Sequence, residues 1–248
     1  MKLNEDIGVH TLLQRHENSQ TEYQKMIYAV SHDMAAPIRS VVSFAKLLKK
    51  SAEENLSEKE LHYLSYIIDN GEKVQSMFLG MLEYSRLLTR SEEHVRMDAN
   101  DAARAAIELL VRPVKQSGAV ITVDKLPNVY AEPNQLGRVF FSLVENALKF
   151  SRKDVTPEIH VSAERYGKGY KFTVTDNGIG MDMKYSEVIF DVFKRLNAEK
   201  EYAGIGMGLP IARRIMDLHG GEIWVNSTPG KGSVFSFFFP DYNPSVHH

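Results

Sequence analysis

The first ninety residues repeat apolar side chains every three or four positions, a pattern that predicts amphipathic helices. Over residues 1–51 the repeat is carried by Val9, Leu13, Ile27, Val30, Met34, Ile38, Val41, Ala45 and Leu48. After a charged turn it resumes at Leu61, Leu64, Ile68, Val74, Met77, Met81, Leu82 and Leu88. Since each apolar stripe is wider than one hairpin can bury, we expect an antiparallel helical hairpin that pairs with a second copy as a dimeric four-helix bundle.

Other residues indicate where these helices begin and bend. Ser57 and Glu60 have the spacing of a capping box, in which Ser57 is the N-cap and Glu60 reaches back to start the second helix. Pro37 lies inside the first helix, where it removes the hydrogen bond to the carbonyl of Asp33 and is expected to kink the helix. Residues 1–22 are predicted to extend this helix as a coiled coil with polar interruptions, and a solvated single helix is the alternative.

Beyond about residue 95 the pattern changes to shorter elements. Helices are predicted over residues 98–116, 134–150 and 208–219, and strands over residues 119–123, 158–166, 170–176, 222–226 and 233–239. Such a mixture is typical of an α/β sandwich with helices on one face of a sheet. The predicted fold class is therefore α+β, a helical hairpin followed by an α/β sandwich, with the domain boundary near residues 91–97.

Composition narrows the classes of function. The 248-residue chain has a formal net charge of -2, which gives no basic surface for nucleic acid, so no nucleic-acid partner is expected. It contains no cysteine, which excludes disulfides and thiolate chemistry and agrees with a cytoplasmic location. No apolar run approaches the roughly 20 residues that span a bilayer, and no signal peptide opens the chain. We therefore expect no membrane contact within this chain, although a longer parent protein can carry a sensor or membrane part.

Two glycine clusters in the second half have the composition of a phosphate-binding site. Asp176-Asn177-Gly178-Ile179-Gly180 follows a predicted strand, and Gly204-Ile205-Gly206-Met207-Gly208-Leu209 opens a predicted helix. Glycines in these places let backbone N–H groups approach a phosphate, and a helix N-terminus attracts its charge. Asp176 is placed to accept a hydrogen bond from an exocyclic amine such as that of adenine. Taken alone, each cluster is also typical of an ordinary turn.

His32 lies off the apolar repeat, two residues after Val30 and two before Met34, and is therefore expected to face solvent. Asp33 is placed to accept the Nδ1 proton of His32, which would make Nε2 the better nucleophile. Pro37 follows about one turn later, and its cost inside a helix indicates a functional site. A surface histidine without a role is the alternative.

Asn146 and Lys149 are three residues apart and share one face of the helix predicted over residues 134–150. A neutral amide oxygen suits Mg²⁺, which binds chiefly through phosphates, and a lysine suits the phosphates directly. Two solvated helix positions without a ligand are the alternative.

The motifs follow one another as His32-Asp33 with Pro37, Asn146-Ala147-x-Lys149, Asp176-x-Gly178-x-Gly180, Phe190-x-x-Phe193 and Gly204-x-Gly206-x-Gly208-Leu209. In this order they resemble the transmitter region of a two-component sensor histidine kinase. The resemblance covers about residues 23–240, and residues 193–225 look most like phytochrome-type kinases. It implies a coiled-coil or signal helix at residues 1–22, a dimerisation and histidine phosphotransfer domain at residues 23–92, and a catalytic ATP-binding domain of the Bergerat type at residues 95–240. Residues 241–248 are assigned as a tail, and its terminal His247-His248 is interpreted as a tag remnant.

The resemblance also implies a role for each matching residue. His32 would be the phosphoacceptor and Asp33 its general base. Asn146 would bind Mg²⁺, Lys149 would lie near the phosphates, and Asp176 would recognise the adenine amine in a pocket shaped by Gly178 and Gly180. The phosphate-binding loop would consist of Gly204, Gly206, Gly208 and Leu209. Arg195 would contact the γ-phosphate, beneath a lid of about residues 181–203 anchored by Phe190 and Phe193. The implied cofactors are ATP and Mg²⁺. The implied partners are a second copy of the chain and the receiver domain of a response regulator, to whose aspartate the phosphoryl group of His32 passes.

The chain departs from the family pattern at Ala35, Ala36, Ser142 and Ile205. Alanine at position 36 has no group to orient a hydrolytic water, which predicts weak phosphatase activity towards the partner. The departures leave open a dimeric, nucleotide-binding signalling scaffold with little kinase turnover. Another Bergerat-fold ATPase is a second alternative, but such proteins have a glutamate where this chain has Ser142, with Glu145 nearby instead.

Overall fold

The computed structural model describes residues 2–89, 93–196 and 204–241, in two compact units of residues 1–91 and residues 92–248. Side chains are described for residues 26–52, 54–87, 93–196 and 204–241. The predicted end of the second helix at residue 90, the side-chain pattern predicted for residues 1–22 and nearly all of the predicted tail lie outside these residues.

The first unit is a hairpin of two long helices. Its elements are α1 at Lys2–Ala52, a 3₁₀ turn at Glu53–Asn55 and α2 at Glu58–Thr89. The predicted capping box is present, because the backbone N–H of Ser57 donates to Oε2 of Glu60 (2.8 Å) and that of Glu60 donates to Oγ of Ser57 (3.3 Å). These reciprocal bonds satisfy donors that the start of a helix leaves unpaired.

The hairpin buries only part of the apolar stripe of α1. The buried side chains between the helices are Ser31, Ala35, Val42 and Ala45 on α1 and Leu64, Ile68, Leu82 and Ser85 on α2. A neighbouring row of α1, here called the outer row, stays exposed and consists of Val30, Met34, Val41, Phe44 and Leu48. The sequence repeat combined these two rows into one stripe, because residues three or four apart recur in both. Within the unit, α2 contacts one row and leaves the other to solvent.

The second unit is an α/β sandwich. Its elements are β1 at Val95–Asp98, α3 at Ala99–Leu109, α4 at Val111–Ser117, β2 at Val120–Val123, β3 at Asn128–Ala131, α5 at Pro133–Lys149, β4 at Glu158–Tyr166, β5 at Gly169–Asp176, 3₁₀ turns at Met183–Tyr185 and Val188–Phe190, α6 at Gly208–Leu218, β6 at Glu222–Thr228 and β7 at Gly232–Pro240. Five strands form a sheet in the order β2-β4-β5-β7-β6, in which only the β2–β4 pair is parallel. β1 and β3 form a separate antiparallel pair.

Aromatic packing fixes α5 against the sheet. The ring of Phe140 on α5 meets Phe172 of β5 and Phe237 of β7 edge-on, with centroid distances of 5.9 and 5.4 Å. The two strand rings stack at 4.9 Å, and all three side chains are fully buried. Each such pair adds about 0.5–1.5 kcal/mol beyond the burial of its area. Because this packing fixes α5 on the sheet, the residues on its other face keep a defined position beside the end of β5 and the start of α6.

Two features of this unit differ from prediction. The helix predicted over residues 98–116 is two helices, interrupted at the buried Leu110. Pro113 explains the interruption, because it cannot donate to the carbonyl four residues earlier, where α3 ends. Asp98 does cap α3, accepting from the N–H of Asn100 at 2.9 Å. The short strands β1 and β3 were not predicted, since four residues show too little alternation and their pairing joins distant parts of the chain.

Candidate functional site

Asp176, the last residue of β5, is a buried carboxylate held by backbone donors. Its Oδ1 accepts hydrogen bonds from the N–H groups of Gly178 (2.8 Å) and Ser233 (3.2 Å). Burial raises the pKa of this carboxyl above its ordinary value, and the two hydrogen bonds oppose that shift. Both bonds go to Oδ1, and Oδ2 accepts no hydrogen bond from another residue in the described part of the chain, so it can accept one from a ligand.

The loop after β5 requires glycine because it packs against other backbone. A β-carbon on Gly178 would lie 2.4 Å from the carbonyl oxygen of Phe150, and one on Gly180, where φ is 63°, would lie 2.1 Å from that of Thr228. The N–H of Ile179 donates to the same Phe150 carbonyl at 2.9 Å. These contacts place the buried carboxyl beside the C-terminal end of α5.

Asn146 and Lys149 share one face of α5, as predicted, and both side chains are half-buried. Burial and the nearby Arg195 both lower the pKa of Lys149, while Glu145 raises it. Among the described residues, the side-chain amide of Asn146 makes no hydrogen bond. Two cations that share a half-buried place repel one another, so a bound anion would stabilise both. The α5 face therefore has the charge and the unpaired amide that a phosphate and its metal need.

The second glycine cluster leads from the loop into α6 close to this face. A β-carbon on Gly204, where φ is 121°, would approach Nζ of Lys149 to 2.8 Å. One on Gly206, where φ is 72°, would lie 2.6 Å from the carbonyl oxygen of Lys194. The positive φ favours glycine at both positions. At Gly206 the close backbone contact requires it as well, whereas at Gly204 the nearby ammonium of Lys149 ends a flexible side chain that can move aside.

At the N-terminus of α6, two backbone N–H groups donate no hydrogen bond to another described residue. Gly208 and Leu209 are its first two residues, and the first helical hydrogen bond runs from Ile211 to the carbonyl of Met207. Ser142 of α5 lies beneath this terminus, with Oγ at 3.6 Å from the position of a β-carbon on Gly208. Free N–H groups and the helix dipole favour an anion here.

In the first unit, His32 lies on α1 with a side chain that is 70% exposed, as predicted. Its Nδ1 is 3.1 Å from Oδ1 of Asp33. The ring of Tyr28, one turn earlier, stacks with the imidazole at a centroid distance of 6.3 Å. A carboxylate beside Nδ1 favours the tautomer with its proton on Nδ1, which leaves the lone pair on Nε2.

Comparison with known proteins agrees with this arrangement. Residues 131–243 match the sequence model of the family described as histidine kinase-, DNA gyrase B-, and HSP90-like ATPases. Cyanobacterial phytochrome A of Nostoc sp. is 35% identical over 224 residues, which cover 90% of this chain and 29% of that protein. The adaptive-response sensory kinase SasA of Prochlorococcus marinus is 33% identical over 242 residues, which cover 92% of this chain and 61% of that protein. The chain is a transmitter region related to those of phytochrome-type histidine kinases.

Solved structures share the fold of this transmitter region. Full-length ShkA in complex with AMPPNP aligns with a TM-score of 0.65 at 24% identity, over 89% of this chain and 47% of that one. Histidine kinase ThkA in complex with the response regulator protein TrrA aligns with a TM-score of 0.62 at 21% identity, over 91% and 65%. At these identities the likeness shows the α+β fold alone. The chain spans less than a third of the length of the phytochrome it matches.

The region between the glycine clusters is described as far as residue 196 and contains both predicted lid anchors. Phe190 is buried, with the guanidinium of Arg213 at 5.0 Å from its ring centroid, and Arg213 also pairs with Glu187 at 2.9 Å. Phe193 differs, because its side chain is 37% exposed and its backbone N–H donates to Gly206 at 3.1 Å. Its φ of 62° is rare for a residue other than glycine. Residues 197–203 of the predicted lid lie outside the described residues.

Sequence reasoning missed residues that hold this part of the second unit in place although they lie far away along the chain. Ser233 donates to Asp176 although 57 residues separate them, and its only signal was the preceding Gly230-Lys231-Gly232 run. The buried His219 accepts at Nε2 from the N–H of Glu132 (3.2 Å) and donates from Nδ1 to Ile215 (2.8 Å). This histidine joins the start of α5 to the end of α6, and no local pattern pointed to it.

Among the described residues, no helix combines the length and the apolar composition that crossing a membrane requires.

Proposed function

We propose that this transmitter region is a protein histidine kinase that uses ATP to phosphorylate His32 and then passes the phosphoryl group to an aspartate of a response-regulator receiver domain. The observation that carries the proposal is the arrangement of charged groups in the second unit. The buried carboxyl of Asp176 lies at one end of α5, and Lys149 of the same helix interacts with the nearby cation of Arg195. The relationship to histidine kinases supports the same reaction.

The adenine and the phosphates of ATP would bind at two different parts of this site. Oδ2 of Asp176 would accept a hydrogen bond from the adenine amine, in a pocket shaped by Gly178 and Gly180. The phosphates would lie between Lys149, the glycine loop and the N-terminus of α6, where opposite charge and N–H donors converge. The AMPPNP bound to the structural relative ShkA supports this role for the fold.

Mg²⁺ would be held by Asn146, whose amide oxygen lacks a partner among the described residues. Those residues contain no group of three or more histidine or acidic side chains suited to a metal. This fits Mg²⁺, which keeps several waters and binds through phosphates with one or two protein oxygens. The ion would supply neutralisation of the phosphate charge.

His32 is suited to accept the phosphoryl group. The Nε2 lone pair would form a bond to the γ-phosphorus while the bond to the bridging oxygen breaks and ADP leaves. Asp33 would take the Nδ1 proton, which becomes acidic as the ring gains positive charge. Transfer in cis and in trans both satisfy this chemistry. The complex of the relative ThkA with TrrA supports a receiver domain as the next acceptor, and Ala36 predicts weak dephosphorylation of that partner.

The proposed domains follow from these roles. Residues 1–22 would be the signal helix, residues 23–92 the dimerisation and phosphotransfer domain, and residues 95–240 the catalytic domain. The exposed outer row of α1 supports a homodimer, because five apolar side chains at helical spacing form the face that a second hairpin would cover.

A nucleotide-binding scaffold with little turnover is the second candidate. It is favoured by Ser142, because a serine has no side-chain amide to offer to the metal or the phosphates. The hydroxyl of Ser142 also donates its proton to the carbonyl of Arg138, at 2.9 Å. A chaperone-like or topoisomerase-like ATPase is less suited, because Glu145 is exposed and Ser142 occupies the position one turn before Asn146.

Incubation with Mg²⁺ and ATP radiolabelled at the γ-phosphate tests the proposal. We expect acid-labile, alkali-stable label on the wild-type chain and none on His32→Ala, with nucleotide binding equal in both. Nucleotide binding without label on the wild type would favour the scaffold. Label that persists in the variant would contradict the assignment of the acceptor.

A further inference from the structure

Arg138 lies on the same face of α5 as the proposed phosphate and metal residues. Positions 138, 142, 146 and 149 fall within an arc of about 80° on a 3.6-residue period. Arg138 is half-buried, whereas arginines on a fully solvated face extend into water. The roles proposed above leave this cation without a function.

Contacts with Ser142 and Phe141 help to hold the guanidinium of Arg138 against the helix. Its Nη1 donates to Oγ of Ser142 at 3.3 Å, and its central carbon lies 5.2 Å from the ring centroid of Phe141. Ser142 is itself buried beneath Gly208, the first residue of α6. The positive charge is therefore directed towards the N-terminus of α6, where the unpaired N–H groups lie.

The position of the adenine carboxylate sets the direction of a bound nucleotide along α5. The loop that holds Asp176 packs on the carbonyl of Phe150, at the C-terminal end of the helix. From Phe150 back to Ser142 the helix rises about 12 Å, at 1.5 Å per residue. The backbone of Lys149 directly precedes Phe150, and since side chains of a helix lean towards its N-terminus, the ammonium group extends from the base end towards the phosphates. The phosphate farthest from the base is then the one nearest Ser142 and Arg138.

We propose that Arg138 binds the terminal phosphate of the nucleotide and makes the site prefer a triphosphate to a diphosphate. This inference rests on the proposed ATP site. A guanidinium offers two parallel N–H donors to one phosphate group, so it recognises the γ-phosphate by geometry as well as charge. A diphosphate in the same orientation ends short of Arg138 and loses this contact. The preference would load the site with substrate and favour the release of ADP.

Calorimetric titration of AMPPNP and of ADP, each with Mg²⁺, tests the proposal on the wild type and on Arg138→Gln. We expect the affinity for AMPPNP to fall about tenfold in the variant, as loss of one charged contact predicts, while that for ADP stays within about twofold. Arg112→Gln is the matched control, because Arg112 is exposed on α4 and its loss changes the net charge equally. That control should leave both affinities unchanged.

Arg138→Lys keeps the charge without the two-pronged geometry, and its AMPPNP affinity should lie between those of the wild type and Arg138→Gln. This variant also answers the question if Arg138→Gln fails to fold, as judged by its thermal transition. Equal losses for both nucleotides, or no loss for either, would overturn the role of Arg138 while leaving the ATP site in place. Absence of AMPPNP and ADP binding in the wild type would overturn the proposed ATP site and this inference with it.

Discussion

At the scale of single residues, Asp176 combines a binding role with a cost in folding stability. Because burial raises its pKa in the folded state, the stability that this group contributes is present at low pH and is lost as pH rises through the folded pKa. At neutral pH the charged carboxylate therefore destabilises the unliganded fold. Its two backbone hydrogen bonds reduce that cost and do not remove it.

Asp176→Asn separates the two effects. The amide oxygen still accepts from Gly178 and Ser233, so we expect the melting temperature of the nucleotide-free protein at neutral pH to rise. The amide N–H₂ would face the adenine amine, donor against donor, which predicts AMPPNP affinity lower by about tenfold to a hundredfold. Thermal denaturation and calorimetry measure these changes. The stability difference should shrink as the pH falls through the raised pKa of the folded state, because the wild-type carboxyl is then protonated too.

Asp182→Asn is the control for this comparison, because that exposed carboxylate has its pKa lowered by the hydrogen bonds it accepts from Lys184 rather than raised by burial. The same substitution there should not stabilise the fold. A lower melting temperature for Asp176→Asn at neutral pH would contradict the burial argument.

The lowered pKa of Lys149 predicts that nucleotide binding is coupled to the uptake of a proton by this residue. Its pKa is lowered by burial and by Arg195, and phosphates beside it would raise that pKa again. On the alkaline side of neutral pH, where the lowered pKa lets Lys149 lose its proton more easily, binding of AMPPNP should therefore take up protons. Calorimetry in two buffers of different ionisation enthalpy measures this uptake, which Lys149→Met should abolish. Equal uptake in the variant would assign the proton to another group.

At the scale of elements, the start of α2 depends on a local device. Glu60 accepts from both the hydroxyl and the backbone N–H of Ser57, and these bonds lower the pKa of its carboxyl. The stabilisation is thus present above the ordinary pKa of a glutamate and is lost as pH falls through the lowered value. Ser57→Ala should reduce the free energy of unfolding of the hairpin by about 1 kcal/mol at neutral pH.

Urea denaturation of the whole chain, followed on the hairpin transition, measures the loss of the cap. Ser76→Ala is the matched control, since Ser76 is exposed inside α2 and its Oγ donates to the carbonyl of Glu72 in the same helix. That change should be neutral or slightly stabilising, because alanine favours helix interiors. Equal effects of the two substitutions would show that the capping box does not hold the helix start.

At the scale of the whole molecule, the outer row of α1 predicts the oligomeric state. Val41→Glu places a charge in the middle of this row, where a partner hairpin would have to bury it unpaired. We expect the wild type to sediment as a dimer and the variant as a monomer at low micromolar concentration. Analytical ultracentrifugation distinguishes them. Ser43→Glu adds the same charge on another exposed face and should leave the dimer intact, whereas a monomeric wild type would contradict the proposed bundle.

Much of the architecture was predictable because it depends on neighbours in sequence. The capping box at Ser57, the solvent exposure of His32 and the β4–β5 hairpin follow from spacings of one to four residues. The break between α3 and α4 was predictable in the same way, since Pro113 has no N–H to donate to the carbonyl four residues earlier.

The sequence by itself determined the helical hairpin, the α/β class of the second unit and the motifs of the proposed kinase. Only the tertiary structure decided which row of α1 faces α2, how β1 pairs with β3, and that Ser233 and Phe150 hold the loop of Asp176. The same is true of the contact of Arg138 with the residue beneath α6. The physical reason is distance along the chain: periodicity encodes which face of an element is apolar, whereas the partner that covers that face is chosen by packing all the elements together.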